Sequence, residues 1–364
     1  MKIAIIGSRG IPNNYGGFEE CATQLSRLWV RKGYEVTVYN SSLHPYEDDE
    51  WEGVKIVHQN DPEDKIGSTG QFVFDLNCIR HARKQGFDLI LQLGYTSSGI
   101  WQWLLPSKSK LITNMDGIEW KRSKYNQWVK RFLKWSESLA ANRAHQLIAD
   151  HPSIQGHLDY RFGTGSVYIP YGATIPESLN SDVPIKYGVK PGEYHLVMAR
   201  MEPENNIHLI LKGIQRSQEQ MPTLVVGHNR STDYSRNLEE EFKSSQILFH
   251  PGVFERAEAD ALRYYSKRYF HGHSVGGTNP SLLEAMACQC LIYAHQNVFN
   301  EYVLGKNARY FDSADTITEL LNDPMSPLDA AIWKKRNLER IRREYQWQSI
   351  ADQYEILFQQ LLIS

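Results

Sequence analysis

The run His273-Ser274-Val275-Gly276-Gly277-Thr278-Asn279-Pro280-Ser281-Leu282-Leu283-Glu284-Ala285-Met286-Ala287 combines a glycine turn with the start of a helix. Thr278 or Asn279 can cap that helix, and Pro280 fits its first turn, where a missing N–H costs nothing. Bare amides at Gly277, Thr278 and Asn279, together with the positive end of the helix dipole, favour a phosphate group. Glu284, about one turn further in, offers a carboxylate to sugar hydroxyls. The chemistry this spacing points to is capture of a nucleotide diphosphate sugar. The same residues also fit an ordinary capped helix with a solvent-facing Glu.

Other candidates share one position, the end of an apolar run. Arg200 follows His195–Ala199, where a guanidinium can fork onto a diphosphate and steady the charge that grows as a nucleotide leaves. A surface ion pair with Glu202 or Glu204 is the plainer use. Asp116 follows Leu111–Asn114, where a carboxylate can orient or deprotonate an acceptor hydroxyl, although Asp before Gly is also common in turns. The first apolar run, Lys2–Ile6, empties into a loop with glycines at 7, 10, 16 and 17. That loop lacks the Gly-x-Gly-x-x-Gly dinucleotide spacing, which disfavours a dehydrogenase. Gly16 and Gly17 can turn amides toward a phosphate or an acceptor. His228, Asn229 and Phe254, on loops after later strands, are candidates for contacting a base.

These residues need a scaffold that puts strand ends together. Short apolar runs alternate with amphipathic stretches, the βαβ pattern of a doubly wound parallel sheet. The pattern runs once to about residue 170 and restarts near His195. The expected organisation is α/β, with two Rossmann-like doubly wound domains facing a central cleft. Residues 1–172 form the first domain, 173–192 a linker rich in Pro, Gly, Ser and Asn, and 193–345 the second domain. Residues 346–364 form a helix that crosses back to the first. Ligands of such sheets bind at the carboxyl ends of the strands.

Composition narrows the classes. The 364 residues carry a formal net charge of −2, which gives no global attraction to nucleic acid. The four cysteines lack paired zinc spacing. No apolar run approaches the roughly 20 residues a membrane span needs, and Met1-Lys2 leads straight into a strand pattern rather than a secretory leader. A cytoplasmic protein is expected. The stretch Trp120–Trp135 holds Lys and Arg but no acid, with Trp128, Phe132 and Trp135 at helical spacing. Lys121, Arg122, Lys124, Trp128, Lys130, Arg131 and Trp135 are therefore candidates for contact with anionic lipid at the inner face of the cell membrane. An aromatic face packed into the core, with solvated lysines, fits the same spacing. No Asp-x-Asp occurs and the histidines form no helical metal pair. No metal and no other cofactor is expected, so Arg200 and helix amides would have to neutralise the phosphates.

Taken together, these motifs resemble the two-domain GT-B glycosyltransferases of glycosyltransferase family 4, over essentially the whole chain. They are closest to a bacterial branch similar to rhamnosyltransferases of cell-surface polysaccharide assembly. The resemblance rests on Ile6–Pro12 with Tyr15–Glu19, on Asp116–Arg122, on Pro203–Ile207 and on His271–Pro280. It implies a retaining transfer of L-rhamnose from dTDP-L-rhamnose to a lipid-linked saccharide. Arg200 would then meet the diphosphate, Glu284 the ribose, and Gly16 and Gly17 the donor phosphates and acceptor. Asp116 would stand where many relatives carry a histidine near the reacting centre. Asn205 stands among the donor-binding positions where the family has a lysine, and Gly276 where it has a second glutamate. A thymidine nucleotide lacks the 2′-hydroxyl that Glu284 would otherwise reach, so UDP- and GDP-sugars stay open as donors. An epimerase and a non-catalytic sugar-nucleotide binder on the same fold stay open as activities.

Overall fold

A computed structural model describes residues 1–122, 125–163, 165–227, 232–253 and 255–363. The chain divides into two compact units, one of residues 1–171 with 347–364, the other of residues 172–346.

The first unit is built on eight strands: β1 (Lys2–Ile6), β2 (Glu35–Ser41), β3 (Glu50–Trp51), β4 (Val54–Gln59), β5 (Leu89–Leu93), β6 (Lys110–Asn114), β7 (Gln146–Ala149) and β8 (Ser166–Tyr168). Their order across the sheet is β3-β4-β2-β1-β5-β6-β7-β8. All pairings are parallel except β3 with β4. Parallel strands covered on both faces are near-continuously apolar along their length. Ile3 to Ile6 of β1 and Leu89 to Leu93 of β5 are buried throughout, with Gln92 the one polar residue among them. From β1 the chain steps to one side for β2–β4 and to the other for β5–β8, so the topological switch lies between β1 and β5. The last helix, Trp347–Ile363, packs on Gly17–Arg31. Trp29 meets Tyr354 and Phe358 edge-on at 5.9 and 4.9 Å, and all three rings are buried. Lys32 on one side bridges Asp352 (2.5 Å) and Glu355 on the other.

The second unit has six parallel strands: β9 (His195–Met198), β10 (Thr223–Val226), β11 (Ile247–His250), β12 (Arg268–His271), β13 (Ile292–His295) and β14 (Arg309–Phe311). Their order is β11-β10-β9-β12-β13-β14, which places the switch between β9 and β12. Its core joins Val197, Val225, Phe270 and Tyr293 from the strands to Ile207, Ile210, Leu211 and Ile214 from one helix stripe. The stretch read as a linker carries a short helix, Val183–Lys186. It is tied into this unit by Gly192 N–H to Tyr265 O (2.7 Å) and by Lys186 and Tyr187 to Glu258 (2.8 and 2.6 Å).

Candidate functional site

In the second unit, three loops at strand carboxyl ends are stitched into one surface at the switch point. Arg200, two residues past β9, is exposed and pairs loosely with Glu202 at 3.9 Å. Asn205, in the same loop, is buried. Its Nδ2 donates to Arg200 O (2.8 Å), and its Oδ1 meets His273 Nδ1 (2.8 Å) in the loop after β12. Ser274 donates both N–H and Oγ to Glu204 O (3.1 and 2.9 Å). Asn297 and Asn300, beyond β13, donate to His273 O at 3.1 and 3.0 Å. The backbones approach so closely that a Cβ on Gly272 would lie 2.0 Å from Asn205 O. The structure thus gives Asn205 the work of a brace for Arg200's loop, with its amide group engaged inside the protein.

The loop turns at Gly276 (φ 111°) and enters the helix Pro280–Ala287. Asn279 is the cap: its side chain accepts from Ser281 N–H (2.9 Å), and Pro280 holds the first helical position. Thr278 is buried and Gly277 half-buried. Glu284, one turn in, is half-buried and accepts from Arg263 Nη2 at 2.5 Å. Arg263 comes from the neighbouring helix Arg256–Tyr264, is itself buried, and also bridges Asp260 at 3.2 Å. Burial alone would lower the Arg263 pKa; the charges of Glu284 and Asp260 hold it above its usual value instead. Arg263 is a site component that no motif announced. Nothing in its own helix's spacing connects it with a carboxylate 21 residues on.

In the first unit, the glycine loop leaves β1 at the other switch point. Gly7 (φ 87°) lies so close to the end of β5 that a Cβ there would stand 2.2 Å from Leu93 O. Asn40 of β2 fixes the loop, accepting from Ile11 N–H (2.9 Å) and donating to Ile11 O (2.7 Å). Gly16 caps the helix Gly17–Arg31 in an extended conformation. That helix's Glu19 reaches back to accept from Arg9 N–H (2.7 Å), and burial pushes its carboxyl pKa up.

Asp116 follows β6 with φ 52°, a left-handed backbone rare outside glycine and a frequent mark of functional positions. It is half-buried, its N–H is received by Asn114 Oδ1 (3.0 Å), and its Oδ1 accepts from the buried Tyr171 hydroxyl (3.1 Å). Burial, and then Asp116's charge, push the Tyr171 phenol well above its usual range. Cys21, buried on the helix Gly17–Arg31, is raised by burial and then by Glu20, Asp116 and Glu19. Asp116 therefore stands close to the first turns of the helix that Gly16 caps.

The basic-aromatic helix spans Gln127–Arg143. Its aromatic stripe is divided: Trp128 and Trp135 are 77% and 53% exposed, while Phe132 packs on Phe72 at 5.7 Å. Lys121 and Arg131 are exposed and Lys130 is half-exposed. Arg122 is engaged elsewhere, its side chain 12% exposed and paired with Glu119 at 2.7 Å. Lys124, His228, Asn229 and Phe254 lie outside the described residues. Among the described residues no helix is long and apolar enough to cross a membrane. No group of three or more His, Cys, Asp or Glu side chains among them is placed to hold a metal ion. The four cysteines are buried and unpaired.

With this geometry in hand, known proteins offer comparison at two levels. A family model described as a domain of unknown function (DUF1972) matches residues 1–174. Curated proteins gave no match to the sequence. Among solved structures, sucrose-phosphate synthase from Thermosynechococcus elongatus is similar with a TM-score of 0.81 at 17% identity, covering 100% of this chain and 99% of its own. The Anabaena protein HepE, in complex with UDP and glucose, is similar at 0.75 and 16%, covering 99% of this chain and 100% of its own. An α,α-trehalose 6-phosphate synthase from Burkholderia multivorans gives 0.73 and 11%, covering 99% and 96%. At such identities the likeness is one of fold: this chain has two Rossmann-like units of the GT-B class.

Proposed function

We propose that the chain is a metal-independent, retaining glycosyltransferase. It moves L-rhamnose from dTDP-L-rhamnose to a hydroxyl of a lipid-linked saccharide in cell-surface polysaccharide synthesis, at the inner face of the cell membrane. One observation carries the reading. The second unit's switch point, where doubly wound sheets take nucleotides, gathers Arg200, the Gly276–Asn279 turn and Glu284 on loops braced by Asn205 and His273. A diphosphate there meets an exposed guanidinium and helix-start amides, and Glu284, fixed by Arg263, faces a nucleoside hydroxyl. As the bond from the anomeric carbon to phosphate breaks, negative charge collects on the leaving nucleotide, and Arg200 with the amides of Gly277, Thr278 and Asn279 stabilises it. Gly16 and Gly17 serve the donor phosphates and acceptor from the first unit. Asp116 places the acceptor hydroxyl, whose oxygen forms the new bond; its proton goes to Asp116 or to a donor phosphate oxygen.

The exposed Trp128 and Trp135 beside Lys130 and Arg131 support attachment to a bilayer. A thermal-shift panel of dTDP-rhamnose, UDP-glucose, UDP-galactose and GDP-mannose tests the donor, because a ligand of the folded state raises the midpoint. The largest rise is expected with dTDP-rhamnose. Arg200→Ala should lower turnover by about a hundredfold or more without lowering the melting point, since its side chain is half-exposed and loosely paired. Near-normal turnover would remove Arg200 from this role, and turnover abolished by EDTA and restored by manganese would sink the metal-free mechanism.

A further inference from the structure

The second half of the Asp116–Arg122 segment is built into a structure that donor binding does not use. Trp120 sits on the short turn Glu119–Lys121, and its indole Nε1 donates to Glu137 (3.2 Å) on the helix Gln127–Arg143. Glu137 is 2% exposed and is held in turn by Arg161 and by His157 Nε2 (3.2 Å), both from the helix Pro152–Phe162. Arg161 donates further to Lys134 O (2.9 Å) and Ser138 Oγ (3.0 Å). The indole is thus held at its N–H edge by a buried carboxylate.

Around that ring stand three cations: Lys134 Nζ at 5.0 Å from its centre, Lys121 Nζ at 5.7 Å and the Arg161 guanidinium at 5.9 Å. Among the described residues, Glu137 is the one carboxylate bonded to this group, and the neighbouring Glu119 and Arg122 pair with each other. His157 adds no charge: burial, then Lys121 and Lys134, lower its pKa. Three positive charges against one negative leave an excess of two, with the two ammoniums on exposed residues. Ring contacts of this kind are individually weak, and like charges gathered around one ring favour an anion that spans them.

We infer that Trp120, Lys121, Lys134 and Arg161 form a diphosphate subsite that holds the phosphate-bearing end of the lipid-linked acceptor. This rests on the proposed transferase reading and deepens it. Three further features fit a diphosphate bearing a sugar at one end and an apolar chain at the other. Two exposed ammonium groups, at 5.0 and 5.7 Å from one indole centre, match two phosphoryl groups in number. Asp116, which serves the acceptor hydroxyl, lies four residues up the same segment. The exposed Trp135 directly follows Lys134, and Trp128 lies two turns before it on that helix, so the lipid chain leaves the phosphates over tryptophan.

The test uses the full chain and titration calorimetry with farnesyl diphosphate, inorganic pyrophosphate and dTDP, plus sedimentation with phosphatidylglycerol vesicles. The expected result is that Lys121→Gln/Lys134→Gln weakens farnesyl diphosphate and pyrophosphate at least tenfold, with dTDP affinity unchanged. Both lysines are exposed, so the variant is expected to fold; unchanged dTDP binding and melting point verify that. Equal farnesyl diphosphate affinity in parent and variant overturns the inference, as does an absence of diphosphate binding to the parent. Loss of vesicle binding alone also overturns it, because the lysines would then serve a headgroup surface. Failure of dTDP-sugars to bind, with the diphosphate result intact, would strike the donor reading and leave this subsite standing.

Discussion

Arg263→Met is the substitution that most directly probes how the second unit holds its carboxylates. The guanidinium is 7% exposed and touches Glu284 at 2.5 Å and Asp260 at 3.2 Å. Methionine keeps the apolar volume and removes the charge, leaving two carboxylates without their shared cation. Breaking a buried ion pair by deleting one partner costs about 3–5 kcal/mol. The lower end applies here, because Arg256 stays 3.5 Å from Asp260 and the Glu284 side chain is 24% exposed. For a unit of this size each kcal/mol shifts the midpoint by about 2–4 °C, so a drop of roughly 6–12 °C in the second unit's transition is expected by scanning calorimetry. The double variant Arg263→Met/Glu284→Gln removes one of the two charges that Arg263 balanced and should regain about 1 kcal/mol or more. Affinity for dTDP should fall about tenfold in Arg263→Met as Glu284 loses its orientation. A variant within 1 kcal/mol of the parent, or a Glu284→Gln effect that is the same with and without Arg263, would refute the clamp.

Gly272→Ala should cost about 1–3 kcal/mol and weaken dTDP binding, because its Cβ meets the Asn205 carbonyl at 2.0 Å and forces apart the loops that carry Arg200 and His273; an unchanged calorimetric midpoint would contradict that close approach. Asp75, buried beneath Ser97 (2.6 Å), has its pKa pushed by burial, and then by Asp61, from 3.8 to about 7. Its contribution to stability is therefore complete below about pH 4 and is lost as pH rises toward 7. Asp75→Asn should remove that loss and gain on the order of 3 kcal/mol over the parent at pH 8; parallel urea midpoints for the two proteins from pH 5 to 8 would argue against it. Trp128→Ser/Trp135→Ser should keep the melting point within about 2 °C, since both rings are largely exposed, while cutting sedimentation with phosphatidylglycerol vesicles severalfold. Unaltered sedimentation would remove the two tryptophans from any bilayer contact.

The scaffold was legible because its signal is local. A strand buried on both faces is near-continuously apolar, so β1 and β10 stand out as short apolar or β-branched runs between amphipathic stretches, while β5 carries a buried Gln92 and β12 a buried Arg268 and His271. β3, with two residues, and β14, Arg309–Phe311, fall below the length at which such a pattern exists. The capped helix start was legible for the same reason: a glycine pair, a capping Asn and a first-turn Pro act within four residues of one another. What periodicity does not carry is which neighbour a face meets. Trp128, Phe132 and Trp135 share one stripe, yet Phe132 packs on Phe72 while the two tryptophans face outward.

The partners that complete each candidate residue come from elsewhere in the chain, and this decides what sequence reasoning can reach. Arg263 holds Glu284 from another helix, Tyr171 holds Asp116 across 55 positions, and His273 meets Asn205 across 68. None leaves a mark in its own neighbourhood beyond an ordinary polar residue near an apolar run. Asn205 makes the point most sharply. Where the sequence resemblance would put a lysine, this chain has an amide too short and too deeply set to reach out, and its hydrogen bonds go to Arg200's own carbonyl and to His273. One cation is therefore absent from this loop, and the loop that carries the other is held more firmly. If that exchange is what the asparagine does, Asn205→Lys should not gain affinity for a diphosphate by adding charge. It should lose affinity for dTDP, because the lysine breaks two hydrogen bonds that fix Arg200's backbone. A gain in calorimetric affinity would show that charge, and not bracing, limits binding here.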